Sequence, residues 1–105
     1  MDIEDLKKEI ESKDAVMVYF GGEFCGVCKV LRPKIEEAFK KEFPKIEQIY
    51  IDADHYKQTA VEFGVFVIPT IIVYLDGKEF SRKSRNLSVP MFVSELKRPY
   101  GLFFD

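Results

Sequence analysis

The feature that most constrains this chain is a pair of cysteines, Cys25 and Cys28, separated by two residues and placed where one structural pattern gives way to another. Residues 15–20 are β-branched and aromatic, which is typical of a buried strand, and two glycines follow them. After the cysteines, apolar residues recur at helical spacing from Leu31 to Phe43. The pair is therefore predicted to lie between a buried strand and the N-terminus of a helix.

That position favours thiol chemistry. Unpaired backbone N–H groups and the positive end of the helix dipole stabilise an anion at a helix N-terminus, so Cys25 is the predicted attacking thiolate. Cys28 lies one helical turn further on and is predicted to be the buried resolving thiol, which displaces a partner held on Cys25. Gly26 supplies a tight backbone at the turn, and Lys29 either adds positive charge near the sulfurs or is simply solvated.

The remaining pattern predicts the order α, β, α, β, α, β, β, α. Asp2 is a good N-cap for a first helix of about ten residues. A helical crossover makes the first two strands parallel, and Asp76-Gly77 between the extended segments 70–75 and 78–84 predicts an antiparallel hairpin. We therefore expect one domain over residues 1–105, an α/β fold whose mixed four-stranded sheet carries helices on both faces.

The C-terminal segment is predicted to contain a last helix that Ser88 caps and Pro99 ends. The tail after it is too short to form a unit of its own and is unusually apolar. Its large apolar residues are Tyr100, Leu102, Phe103 and Phe104. Packing on the domain of a monomer is the favoured interpretation, and a contact in a dimer is the alternative.

Charge and composition exclude several function classes. Lys and Arg total 16 against 18 Asp and Glu, so the chain has no broad basic surface for nucleic acid. The basic run Arg82, Lys83 and Arg85 is interpreted as a solvated strand end. No apolar stretch approaches the roughly 18 residues that a membrane span requires. We expect neither a nucleic-acid partner nor a membrane partner.

The N-terminal residues 1–5 are acidic where a signal peptide would be basic, which predicts a cytoplasmic location. In a reducing compartment, closely spaced cysteines are reactive or metal-binding rather than a static cross-link. Zinc needs roughly four ligands, whereas the chain offers two cysteines and His55. One copy cannot supply a complete site, and the remaining metal alternative is an ion or cluster shared by two chains.

Several of these features together resemble the thioredoxin family over about Asp2 to Lys97. They are the segment Phe24 to Lys29, Pro33 eight residues after Cys25, the segment Ile68-Pro69-Thr70, and Asp76-Gly77. The resemblance implies a thiol–disulfide oxidoreductase that acts on protein disulfides through a redox-active Cys25–Cys28 disulfide, without a further cofactor. It also implies a reductase that supplies electrons.

The resemblance further implies which residues border the active site. The proline that corresponds to Pro69 is cis and faces the disulfide, and the residue before it, here Ile68, pairs backbone groups with substrate. For Phe66 and Val67 two interpretations stay open, which are core packing and a hydrophobic docking surface for polypeptide.

The chain departs from the family pattern at several positions. Val27 stands where most thioredoxins have proline, and Phe24 stands in place of tryptophan but keeps an aromatic platform. Tyr19 replaces a buried aspartate that accepts the proton of the resolving thiol, and a phenol with a pKa of about 10 cannot act as that base at neutral pH. Resolution is then slower, or Glu23 or a water substitutes. Arg85, at a family glycine, adds positive charge near the substrate groove.

Two alternatives to a protein-disulfide reductase follow. One is a redox-weak interaction module that keeps the fold and binds a partner polypeptide through Phe66, Val67 and Pro69. The other is a glutaredoxin-like enzyme acting on glutathione mixed disulfides, which Gly26-Val27 does not match.

Overall fold

The structure, a computed structural model, describes residues 1–105. The elements follow the predicted order. In chain order they are α1 (Ile3–Ser12), β1 (Ala15–Gly21), α2 (Gly26–Glu42), β2 (Glu47–Asp52), α3 (Lys57–Glu62), β3 (Thr70–Leu75), β4 (Lys78–Ser84) and α4 (Val89–Phe103). Asp2 accepts a hydrogen bond from the N–H of Asp5 at 2.9 Å, which confirms the predicted N-cap of α1.

The four strands form one mixed sheet in the order β2-β1-β3-β4. β1 runs parallel to β2 and antiparallel to β3, and β3 and β4 form the antiparallel hairpin. Asp76 and Gly77 take positive φ angles of 54° and 76° in the turn between them. The predicted α/β fold, with its parallel first pair and antiparallel C-terminal hairpin, is confirmed.

Helices cover both faces of the sheet, and the alternation of side chains along β1 divides the core in two. All seven residues of β1 are buried, because it is a central strand covered on each side. Ala15, Met17 and Tyr19 pack towards α2 and α4. Val16, Val18 and Phe20 pack towards α1 and α3. Tyr19 therefore lies on the same face as the helix that carries the cysteines.

The prediction that Pro99 ends the last helix is wrong, because α4 continues to Phe103. Proline removes the hydrogen bond that would reach the carbonyl of Glu95. Aromatic packing offsets this loss: the Tyr100 ring lies 5.0 Å from that of Phe43, and its hydroxyl accepts a hydrogen bond of 3.1 Å from the N–H of Lys45.

The residues after Pro99 pack with one side only on the core that lies between the sheet, α2 and α4. Tyr100 and Phe104 contact that core, and their rings lie 4.9 Å apart. Leu102 and Phe103 remain exposed. None of the four helices is long and apolar enough to cross a lipid bilayer.

Candidate active site

The two cysteines lie at the N-terminus of α2. Cys25 is the N-cap residue, and its Sγ accepts a hydrogen bond of 3.3 Å from the backbone N–H of Cys28. Both thiols are free in the structure. Cys25 is half-buried, whereas Cys28 is only 6% exposed. An accessible sulfur is thus held against one of the unpaired N–H groups that begin the helix, with a second sulfur behind it.

The environment of Cys28 favours the protonated form of its thiol. Burial raises the pKa of this thiol and the neighbouring Cys25 raises it further, whereas the nearby Tyr19 side chain and the Gly22 backbone lower it in part. A buried sulfur that stays protonated does not compete with the accessible one for an incoming disulfide. The geometry therefore distinguishes an outer thiol from an inner thiol.

Two glycines let the strand pass close to the inner sulfur. A Cβ on Gly21 would lie 2.7 Å from Cε1 of Tyr19 and 3.2 Å from the Sγ of Cys28. A Cβ on Gly22 would lie 2.5 Å from an Asp54 carboxylate oxygen and 2.9 Å from a methyl carbon of Ile68. Gly21 therefore makes room for the Cys28 sulfur and the Tyr19 ring, whereas Gly22 makes room for two side chains that line the Cys25 cleft.

A shallow cleft surrounds the outer sulfur, and we call it the Cys25 cleft. Its lining residues are Phe24, Cys25, Gly26, Val27, Asp54, Ile68 and Arg85. The structure thus brings Phe24, Gly26, Val27 and Ile68 together with Cys25, as the sequence predicts. Ile68 joins Pro69 through a cis peptide bond, and Pro69 is buried beside the cleft wall.

The remaining predicted site residues lie around this cleft rather than in it. Phe66 is 78% exposed and Val67 53% exposed, which excludes the core-packing interpretation of both. They precede Ile68 in the same loop. Lys29 is exposed and lines a separate cavity behind Cys28 instead of the cleft.

Two charged residues of the Cys25 cleft come from distant segments. Arg85, beside β4, was expected near the substrate groove from the family pattern. Asp54 was missed, because nothing in the sequence around it points towards Cys25. The only available signal was its place just after β2, since the ends of parallel neighbouring strands meet at one edge of a sheet.

The structure groups no three His, Cys, Asp or Glu side chains in a way that could hold a metal ion. His55 is exposed, and its ring packs against that of Tyr56 at 4.6 Å.

Comparison with known proteins agrees with the geometry. The sequence profile of the family "Thioredoxin" matches residues 2–97. The chain is 31% identical to thioredoxin-like protein YdfQ of Bacillus subtilis, over 82% of this chain and 76% of that protein. It is 35% identical to the thioredoxin of Rickettsia conorii, over 79% of each chain. The X-ray structure of Fasciola hepatica thioredoxin superimposes with a TM-score of 0.72 at 28% identity, covering 92% of this chain and 89% of the other.

Proposed function

Because this chain belongs to the thioredoxin family of thiol–disulfide oxidoreductases, we propose that it reduces disulfide bonds in protein substrates through Cys25 and Cys28. The observation that carries the proposal is the 3.3 Å hydrogen bond from the Cys28 N–H to the Cys25 Sγ. It holds the accessible sulfur at the helix N-terminus, where a thiolate is stabilised, with the resolving sulfur directly behind it.

The reaction has two steps. The Cys25 thiolate attacks one sulfur of the substrate disulfide, forming a mixed disulfide and releasing the other substrate sulfur as a thiolate that takes up a proton. Cys28 then loses its proton and attacks the Cys25 Sγ, which releases the second substrate sulfur. The substrate gains two electrons, and the Cys25–Cys28 pair loses two in forming its disulfide.

The surface around Cys25 supports a polypeptide substrate. Phe24 is 89% exposed, and Phe66 and Val67 are exposed on the loop that leads to Ile68. Large apolar side chains in such a position gain free energy when a partner chain covers them. Asp54 and Arg85 add one charge of each sign at the cleft.

The family generally works with a dithiol and without an organic cofactor. We propose the same for this chain, with a partner reductase returning the Cys25–Cys28 disulfide to the dithiol. We also propose a cytoplasmic location, where such a reductase keeps the pair reduced.

Insulin reduction tests the proposal. The reduced protein, kept reduced by dithiothreitol, should accelerate precipitation of the insulin B chain above the dithiothreitol background, and Cys25→Ser should not. Equal rates for the two proteins would contradict the proposal and favour the redox-weak binding module. Activity that requires glutathione would instead indicate the glutaredoxin-like alternative.

A further inference from the structure

Cys28 borders a cavity of about 450 Å³ that shares no lining residue with the Cys25 cleft. We call it the Tyr19 cavity. Its lining residues are Tyr19, Gly21, Gly22, Glu23, Cys28, Lys29, Arg32, Tyr50, Ile51 and Asp52. Cys28, which does not line the Cys25 cleft, thus borders a separate cavity that contains polar groups from β1, β2 and α2.

The Tyr19 hydroxyl is fully buried and has no hydrogen-bond partner among the protein's own groups. Tyr19 is only 2% exposed in total. A buried hydroxyl without a partner is costly, and such groups are rare in native proteins. The other tyrosine of the cavity differs, because the Tyr50 hydroxyl donates to Gln48.

The unpartnered hydroxyl lies close to the resolving sulfur. A Cβ on Gly21 would lie 2.7 Å from Cε1 of Tyr19, the ring carbon two bonds from the hydroxyl oxygen, and 3.2 Å from the Cys28 Sγ. Burial also raises the pKa of Tyr19 far above its ordinary value, so the phenol keeps its proton and can only donate to an anion.

From this arrangement we propose that the Tyr19 hydroxyl donates a hydrogen bond to the Cys28 thiolate and stabilises it during the resolving step. The inference deepens the proposed function, on which it rests. The Cys28 thiol gives its proton to solvent through the mouth of the cavity, beside Glu23 and Asp52. The thiolate, held by Tyr19, attacks the Cys25 Sγ, and the bond from Cys25 to the substrate sulfur breaks.

A hydrogen-bond donor replaces a proton acceptor in this arrangement. A buried carboxylate would assist resolution by taking the proton, whereas a phenol assists it by lowering the free energy of the anion that remains. The charged and titratable groups that face Cys28 or its cavity are Tyr19, Glu23, Cys25, Lys29, Arg32, Tyr50 and Asp52. Only the Tyr19 hydroxyl among them is buried without a partner.

A titration of Cys28 tests the proposal without any turnover. In a Cys25→Ser protein labelled with ¹³C at cysteine, the single Cβ signal reports the Cys28 thiol and does not overlap with tyrosine ionisation. Adding Tyr19→Phe should move the midpoint upwards by about one pH unit, the tenfold change expected for one charge-assisted hydrogen bond. Coinciding midpoints would overturn the proposal.

Tyr74→Phe is the matched control. Tyr74 is a buried tyrosine of β3 that belongs to the core on the opposite face of the sheet. The same substitution there should leave the Cys28 midpoint unchanged. An equal shift in both variants would show a general effect of losing a buried phenol, and would overturn the specific role of Tyr19.

The resolving step gives a second readout. In rapid mixing, release of thionitrobenzoate from its mixed disulfide with Cys25 should be about threefold slower in Tyr19→Phe at neutral pH. A thiolate of higher pKa is scarcer but more nucleophilic, so about half of the logarithmic pKa effect remains. Above both midpoints the difference should vanish or reverse. A constant ratio at every pH would indicate a structural effect and contradict the proposal.

These outcomes are separable from the proposed function. If wild-type protein fails to reduce insulin while the Cys28 midpoint still shifts, the proposed function fails and the Tyr19–Cys28 hydrogen bond stands. If the wild-type and Tyr19→Phe proteins reduce insulin equally well and the Cys28 midpoints with and without Tyr19→Phe coincide, the proposed role of Tyr19 fails and the proposed function stands.

Discussion

The backbone N–H of Cys28 donates a hydrogen bond to the Sγ of Cys25 at 3.3 Å, so the residue that we propose resolves the mixed disulfide also holds the sulfur that we propose forms it. This contact needs only the backbone of residue 28. A side-chain substitution at Cys28 therefore separates the two steps of the proposed reaction.

Cys28→Ser should trap the mixed disulfide. The N–H that caps Cys25 remains, so attack on a substrate disulfide proceeds, whereas no second sulfur can release the product. Intact mass spectrometry should show one substrate moiety attached, removable by dithiothreitol. Cys25→Ser is the control and should show no adduct. Multiple turnover by Cys28→Ser at the wild-type rate would contradict the assigned roles.

Gly21→Ala should destabilise the reduced protein by about 1–3 kcal/mol, because the new methyl group must displace the Tyr19 ring and the Cys28 sulfur from a packed core. Denaturant unfolding measures the difference. Gly26→Ala is the matched control, since a Cβ there meets nothing within 4 Å and alanine favours the helix. Equal stability of the two variants would contradict the packing described around Gly21.

Arg82→Met should lower the free energy of unfolding by about 1–2 kcal/mol. The Arg82 guanidinium donates to the carbonyls of Phe63 and Gly64 at 2.8 and 3.1 Å, and pairs with Glu79. It thereby joins β4 to the end of α3. Lys83→Met is the control, because Lys83 makes a single, partly exposed ion pair with Glu95 and should contribute less than about 0.5 kcal/mol to the free energy of unfolding. Similar losses of unfolding free energy in Arg82→Met and Lys83→Met would contradict the role of Arg82 in joining β4 to the end of α3.

The effect of Arg82 should depend on pH. Hydrogen bonding to Arg82 lowers the pKa of Glu79 below its ordinary value of 4.5. The stabilisation from the Glu79–Arg82 pair is therefore complete at pH values above 4.5 and is lost as the pH falls through the lowered pKa of Glu79 in the folded state. The stability difference between wild type and Arg82→Met should be constant near neutral pH and should narrow in acid. A difference that widens in acid would contradict the pairing.

Val67→Ser should slow reduction of insulin several-fold, because a substrate chain can no longer cover an apolar side chain next to Ile68. The rate with a small aromatic disulfide should stay the same. Val61→Ser is the matched control, since Val61 on α3 is exposed to a similar degree, 56% against 53%. Equal slowing by both variants would argue against docking at the loop.

The fold was predictable because its strongest signals are local. The β-branched run of β1 and the Asp76-Gly77 turn specify structure within a few residues, and the parallel first pair follows from the helical crossover between the strands. The end of α4 was not predictable in this way. It depends on contacts of Tyr100 with Phe43, 57 positions earlier in the chain, which override the local preference of Pro99.

The site, like the fold, combines features set by local sequence with features set by long-range contacts. The proposed roles of the two cysteines follow from their spacing and their place at the start of a helix. The environment of Cys28 does not, because Tyr19 meets Tyr50 only through the register of β1 against β2, which pairs these residues directly. Their rings lie 5.5 Å apart, with the Arg32 guanidinium 4.2 Å from the Tyr50 ring. Strand register depends on tertiary packing and cannot be derived from either strand alone.

The most direct test of the proposed function is the equilibrium redox potential of the Cys25–Cys28 pair in defined dithiol buffers, with Cys28→Ser as the control that cannot close the disulfide. We expect an intramolecular disulfide with a potential close to that of reducing thioredoxins, about −270 mV. A potential near −120 mV, which is typical of a strong oxidant, or failure to form the disulfide at all, would contradict it.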